Sequence, residues 1–337
     1  MDFSDKEKRN VYLRQRGIVP IRIPIPLIID HANAYFIDGP TPILIDTGFF
    51  GDQSFAALAG ALSDHGRDVA DIRTVLLTHG HRDHSGMVRE INRVSGAGIL
   101  LHESDAHILA PGSFSEYLER VFAYYRDMGV APERIEETRA LSAGHRDHYW
   151  KEAGNDDRTI IGGFIRAGDR FESGAGPLVV LETPGHTRGS VSFLLEEDGI
   201  LFSGDLISTA YDPLALVIVE RQADGWLNLY DDYRTSLDSL SDLDPALLFP
   251  GHGGPIAQGR RLARRALDAQ EHAEARVREA VGSNGRQTIA SLTETVYPKA
   301  FGPILTNALN VVRGIIFRLA RQRKVRIDDG WIVWPQT

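Results

Sequence analysis

The chain has no cysteine. That absence removes disulfides, thiolate-held zinc and cysteine nucleophiles together, so any metal must rest on nitrogen and oxygen donors, with His and Asp as the candidates. Also missing is any apolar run near the roughly 20 residues that a membrane span needs, and Met1 to Asn10 are mostly charged. No membrane partner and a cytoplasmic location are therefore expected. No G-x-S-x-G segment offers a serine nucleophile elbow. Excess positive charge is lacking too: a net charge of −9 argues against whole-surface attraction to nucleic acid. The average conceals an asymmetry, because from Gln258 onward 14 Lys and Arg face 7 Asp and Glu, giving +7 there and −16 on the remainder.

With 337 residues, 42% apolar and 25% charged, the chain has the composition of a globular protein with one large domain and a smaller appendage. Short apolar runs at Val19–Ile28, Ala34–Ile37, Pro42–Leu44, Thr74–Leu77 and Ile99–Leu101 read as strands. Phe55–Leu62 and Ser85–Val94 between them have helical periodicity. The pattern resumes with strands at Leu178–Leu181, Ser190–Leu195, Ile200–Ser203 and Ala246–Phe249, so an α/β layered sandwich is expected over residues 1–257. Glu103–Ala143 carries Phe114, Tyr117, Phe122, Tyr124 and Tyr125 on a helical pattern and reads as a helical insertion, bounded at about 103–165. The segment 258–337 reads as three helices, Arg260–Val281, Thr288–Val296 and Pro303–Gln322. A hairpin with an Asp329-Gly330 turn follows, the order of a winged-helix-like domain.

The chemistry concentrates in Thr78-His79-Gly80-His81-Arg82-Asp83-His84-Ser85, which follows a strand and opens a helix. Extended spacing points His79 and His81 the same way, while Asp83 and His84 at the helix start turn to a neighbouring position, so one loop can serve two metals. Three later segments each place one donor just past an apolar strand: Thr183-Pro184-Gly185-His186, Phe202-Ser203-Gly204-Asp205 and Phe249-Pro250-Gly251-His252. Two cations about 3.5–4 Å apart share a water and lower its pKa toward 7, so no protein nucleophile is required. Asp83 is assigned to orienting that water. Asp46, in Leu44-Ile45-Asp46-Thr47-Gly48, is assigned to holding a ligand imidazole or its loop from outside. Gly144-His145-Arg146-Asp147-His148 repeats the letters of Gly80–His84 without a preceding strand and reads as a surface loop. His31, His65, His102, His107 and His272 show no mutual spacing that marks a site.

The H-x-H-x-D-H stretch, followed in order by a distant His, an Asp and a final His, resembles the metallo-beta-lactamase superfamily over roughly Val19 to Gly254. The resemblance implies a four-layer αββα fold. It also implies two divalent metal ions, one on His79, His81 and His186, the other on Asp83, His84 and His252, with Asp205 bridging. Zinc is the default, with manganese or iron as alternatives for a His/Asp site. The implied function is hydrolysis of a thioester, lactone or similar ester-type bond of a small molecule, as in the glyoxalase-II-like subgroup, whose C-terminal winged-helix tail this chain's resembles. An endoribonuclease-like phosphodiesterase using Arg313, Arg318, Arg321, Arg323, Lys324 and Arg326 is the alternative. A solvated basic face is the plainer reading of that tail, so a nucleic-acid partner is not favoured. A mononuclear iron dioxygenase fits less well, because Asp83, His84 and His252 are all present. A homodimer through the insertion or the tail is a further expectation.

Overall fold

The computed structural model describes residues 3–25, 30–110, 114–143, 157–210, 221–222, 225–283, 286–328 and 331–333. They fall into two compact units, Met1–Pro111 with Asn155–Asp212 and Ser236–Arg264, and Gly112–Gly154 with Pro213–Thr235 and Arg265–Thr337.

In the first unit, helix α1 (Lys6–Gln15) starts at Asp5, whose carboxylate accepts from the N–H groups of Glu7 and Lys8. It leads into a six-stranded sheet of β1 (Ile18–Pro24), β2 (His31–Ile37), β3 (Ile43–Ile45), β4 (Thr74–Leu76), β5 (Gly98–His102) and β6 (Ile161–Ile165), paired in that order. The first two pairings are antiparallel and the last three parallel. A five-stranded sheet follows, from β7 (Arg170–Phe171), β8 (Leu178–Glu182), β9 (Val191–Leu195), β10 (Ile200–Gly204) and a later strand at Leu247–Pro250 that pairs parallel to β10. Period-two alternation decides what each strand face buries. Ile18, Tyr35, Ile37, Ile43, Ile45 and Leu76 pack with Val180, Phe193, Phe202 and Phe249 between the two sheets. The intervening Val19, Ile21, Phe36, Leu44, Val75 and Leu77 pack under Leu58 and Leu62 of helix α2 (Asp52–Ser63). The result is the expected α/β sandwich with helices outside both sheets.

Two local expectations change. The single helix over Ser85–Val94 is two, α3 (Arg82–Ser85) and α4 (Val88–Ser95), parted where the Gly86 N–H donates to the Gly48 carbonyl at 2.9 Å. β6 lies inside the range drawn for the helical insertion, because Gly162 and Gly163 dilute its apolar signal, yet it pairs with β5. Among the described residues the α-helices there are α5 (Phe114–Asp127) and α6 (Pro132–Ala143).

These two helices share the second unit's core with α8 (Gly259–Ser283), α9 (Ile289–Val296) and α10 (Pro303–Arg321). In chain order α7 is Tyr230–Leu243, preceded by β11 (Arg221–Gln222) and β12 (Gly225–Trp226) and followed by β13 (Leu247–Pro250), the strand of the first unit that pairs with β10. Phe122, Tyr124 and Tyr125 are buried against Val277, Leu292, Val312 and Ile316. The Tyr125 hydroxyl meets Thr306 Oγ1 at 2.7 Å, and Tyr124 donates to Asn310 Oδ1 at 2.5 Å. Phe122, Tyr124 and Tyr125 are thus packing residues of this unit, whereas Tyr117 is 40% exposed. β14 (Arg326–Asp328) and β15 (Trp331–Val333) pair antiparallel, and Ile332 exchanges backbone hydrogen bonds with Gln287 just before α9. Their Asp329-Gly330 turn lies outside the described residues, as does Gly144–His148.

Candidate metal centre

All donor-bearing loops lie past the C-terminal ends of strands in the first unit. β4 runs through Leu77 and Thr78 into His79, and His81 is the extended residue before α3, which carries Asp83 and His84. His186 follows β8, Asp205 follows β10 and His252 follows β13. The first sheet therefore supplies four donors and the second sheet three.

The structure brings all seven together. His79, His81 and His186 form one group, His79, His84 and Asp205 another, and Asp83, His84 and His252 a third, with the donor atoms of each group within 4.8 Å of one another. Asp205 is central. Its Oδ2 lies 3.4 Å from both His186 Nε2 and His252 Nε2, and its Oδ1 lies 3.4 Å from His84 Nε2. His81 Nδ1 and His186 Nε2 face each other at 2.9 Å, and the Nε2 atoms of His84 and His252 at 3.3 Å.

Three of the imidazoles, those of His79, His84 and His252, are aimed from behind. His84 Nδ1 meets Asp46 Oδ2 at 2.9 Å, and His252 Nδ1 donates to the His31 carbonyl at 2.7 Å. Thr78 Oγ1 donates to Asp46 Oδ2 at 2.8 Å, which leaves its lone pair to accept from His79 Nδ1 at 3.1 Å. These outer partners fix the tautomer that turns Nε2 inward. His31 acts through its backbone, and Asn33 and Tyr35 join it: Asn33 Nδ2 donates to the carbonyls of Pro250 (2.8 Å) and Gly253 (3.0 Å), and the Tyr35 hydroxyl to Pro250 (2.6 Å). Only the two-residue spacing of 31, 33 and 35 along one strand face signals this in the sequence. Other histidines lie apart, His65 on the Ala61 carbonyl and His272 on the Asp268 carbonyl.

The residues present fit a bound cation. His79 Nε2 and Asp205 Oδ1 are buried without a hydrogen-bond partner, an arrangement costly for a protein alone and natural for lone pairs directed at a metal ion. A donor set of imidazoles and carboxylates suits zinc, manganese or iron.

Electrostatics divide the cluster in two. Burial holds the His79 imidazole well below its ordinary pKa and brings that of His186 to about 3. Burial also lowers His84, but Asp205, Asp83 and Asp46 outweigh it and raise the group to about 9. The same contest, with Asp205 and Asp83 prevailing over burial, raises His252 to about 11. Burial pushes the Asp205 carboxyl up, yet His252, His84 and His186 hold it well below the carboxylate range. In the metal-free protein the acidic neighbours therefore favour proton uptake by the His84–His252 pair, and a cation must displace what is bound there. Lower pH favours the proton, so apparent affinity is expected to rise from pH 6 to 9, up to about tenfold per unit for each proton displaced. Calorimetry in buffers of different ionisation enthalpy measures the proton release, and a pH-independent affinity would contradict it.

Asp46 is buried with φ 56°, a left-handed conformation tolerated by Asp and Asn among non-glycine residues. It contacts Thr78 and His84 rather than open space, so it acts through the ligands. Asp46→Asn keeps the backbone and loses the charge. Metal affinity is expected to fall about 10–100-fold by chelator competition, and an unchanged value would detach Asp46 from the centre.

The profile of the metallo-beta-lactamase superfamily matches residues 28–252. A probable metallo-hydrolase, YqjP of Bacillus subtilis (strain 168), is 27% identical over 263 residues, 76% of this chain and 77% of that protein. The acyl-coenzyme A thioesterase MBLAC2 of Bos taurus is 31% identical over 187 residues, 53% of this chain and 59% of that protein. Among solved structures, the metallo-beta-lactamase family protein TTHA1429 from Thermus thermophilus superposes with a TM-score of 0.70 at 26% identity, covering 95% of this chain and 99% of that one. With strand-end histidines and aspartates converging as they do, and the family profile spanning them, the chain belongs to the metallo-beta-lactamase superfamily and is a hydrolase of its fold.

Proposed function

We propose that the protein hydrolyses a thioester or similar ester-type bond of a small molecule at a two-cation centre held by His79, His81, Asp83, His84, His186, Asp205 and His252. The observation that carries the reading is the convergence of seven nitrogen and oxygen donors with buried lone pairs left over. Zinc is the proposed metal. Divalent cations there would supply Lewis acidity and a water acidic enough to attack at neutral pH.

The chain's own residues do the rest. Asp205, 6% exposed, is closed in among three imidazoles and serves as a fixed negative charge. Asp83 is 27% exposed, the more open of the two carboxylates, with Oδ2 3.3 Å from His252 Nε2. It would orient the attacking water, whose proton loss the cations would favour. A thiol has a pKa of about 8.5, so a thioester's leaving group departs with less protonation than an amide's amine would need. The thioesterase relative supports this bond class, and its partial overlap makes the substrate a matter for assay.

The nuclease alternative is weaker than the basic tail made it look. Arg313 is buried and donates to the carbonyls of Trp226 and Leu227. Arg318 pairs with Asp231 at 2.8 Å and Glu274 at 3.4 Å, and Arg321 also pairs with Asp231. Arg326 meets Asp328 at 3.0 Å, so four of the six cations are engaged inside their own unit. Among the described residues no helix is long and apolar enough to cross a membrane.

The deciding experiment assays metal-loaded protein against acyl thioesters, lactones, phosphodiesters and single-stranded RNA, with metal content measured on the same sample. Thioester or lactone turnover at two metals per chain is expected. Cleavage of RNA alone would transfer the assignment to the nuclease.

A further inference from the structure

Asp105 lies outside the donor set, in the short 3-10 segment Glu103–Leu109 after β5, and is fully buried. Its carboxylate joins two donor loops. Oδ2 accepts from the Gly80 N–H at 2.9 Å and from the Thr187 hydroxyl at 2.7 Å, and Oδ1 accepts from the Gly189 N–H at 2.7 Å. Gly80 stands between His79 and His81, and Thr187 follows His186. The approach is close: a Cβ on Gly189 would sit 2.6 Å from Asp105 Oδ1, so this loop position admits only glycine while the carboxylate is there. Ser190 completes the arrangement, its Oγ accepting from the Thr187 N–H at 2.9 Å and lying 2.8 Å from Thr187 Oγ1.

We infer that Asp105 is a positioning residue that sets the distance between the His79/His81 loop and the His186 loop, and with it the geometry of one cation position. The inference rests on the two-cation reading above. It is selective, because none of the Asp105 contacts reaches the loop of His252 or the helical turn of Asp83 and His84. Three donors converge on the carboxylate, a demand that charge meets and an amide does not. An asparagine that keeps its oxygen toward Gly80 and Thr187 presents an NH2 group to the Gly189 N–H, donor against donor.

The test is a cobalt(II) titration of metal-free protein followed by visible absorption, with chelator competition to resolve two steps. Wild-type protein is expected to bind two ions. In Asp105→Asn one step should weaken about 10–100-fold while the other stays within about threefold. Thr187→Val should give part of the same selective loss, and Thr187→Ser, which restores the hydroxyl, should recover it. This second pair answers the question if Asp105→Asn does not fold. Asp198→Asn, which strips a shared acceptor from Tyr12 and Arg16 elsewhere in the unit, should lower Tm and leave both steps alone. Equal weakening of both steps, no weakening, or the same split in Asp198→Asn overturns the role of Asp105. A wild-type protein that binds no cobalt overturns the metal centre itself and the inference with it, so the two failures are told apart.

Discussion

Asp205→Ala is expected to yield a folded protein whose hydrolysis has dropped to background and whose metal content is below two ions per chain. The carboxylate lies 3.4 Å from nitrogens of three different histidines carried on three loops, and it is the negative charge that all of them share. An outer partner such as Asp46 costs about 10–100-fold when lost, and removal of the shared ligand should exceed that, at least about a thousandfold in kcat/KM. The fold should survive. Neither the interior between the sheets nor that beneath α2 includes this side chain. In the metal-free variant, His84 and His252 also lose the partner that helped hold their pKa values high, so both should be neutral at lower pH than in the parent. Elemental analysis and thermal melts on the same preparation are the readouts. Undiminished activity would remove Asp205 from the mechanism.

Nearly as large an effect is expected from adding a single methyl group. In Gly251→Ala the new Cβ would fall 2.2 Å from Asp205 Oδ1 and 2.6 Å from His84 Cε1. Neither neighbour is a flexible end: Asp205 is held among three imidazoles, and His84 is held by Asp46. Gly251 is absent from the positive-φ residues, so the cost comes from volume rather than from backbone strain. Overpacking of this kind costs about 1–3 kcal/mol in stability. Displacing two donors at once should also reduce activity more than about a hundredfold. Gly254→Ala, three residues on, places its Cβ in open space and should be silent. Equal behaviour of the two variants would mean that the packing around Asp205 does not govern the centre.

The site was more legible in the sequence than the scaffold around it. Donors at 79, 81, 83 and 84 are packed into six residues, and each remaining donor follows a glycine at the end of an apolar run. Position and chemistry coincided there. β6 escaped notice because two of its five residues are glycine, and neither propensity nor alternation registers them. The aromatics of α5 gave a correct helical period, yet period alone does not say which surface a helix buries. Their partners in α8, α9 and α10 come more than 130 residues later. The outer residues were the least visible. Thr78, Asn33 and Asp105 act through hydrogen bonds set by tertiary approach, and in the sequence little separates them from other polar residues of strands and turns.

Because the donors come from both halves of the sandwich, bound cations would fasten one sheet to the other in addition to serving chemistry. An ion that binds only the native form adds to its stability by mass action. Protein starved of metal would then open more often at the loop ends, offering proteases an entry that the loaded form denies. Cellular abundance of this hydrolase would in that case track metal supply, through degradation as well as through turnover number.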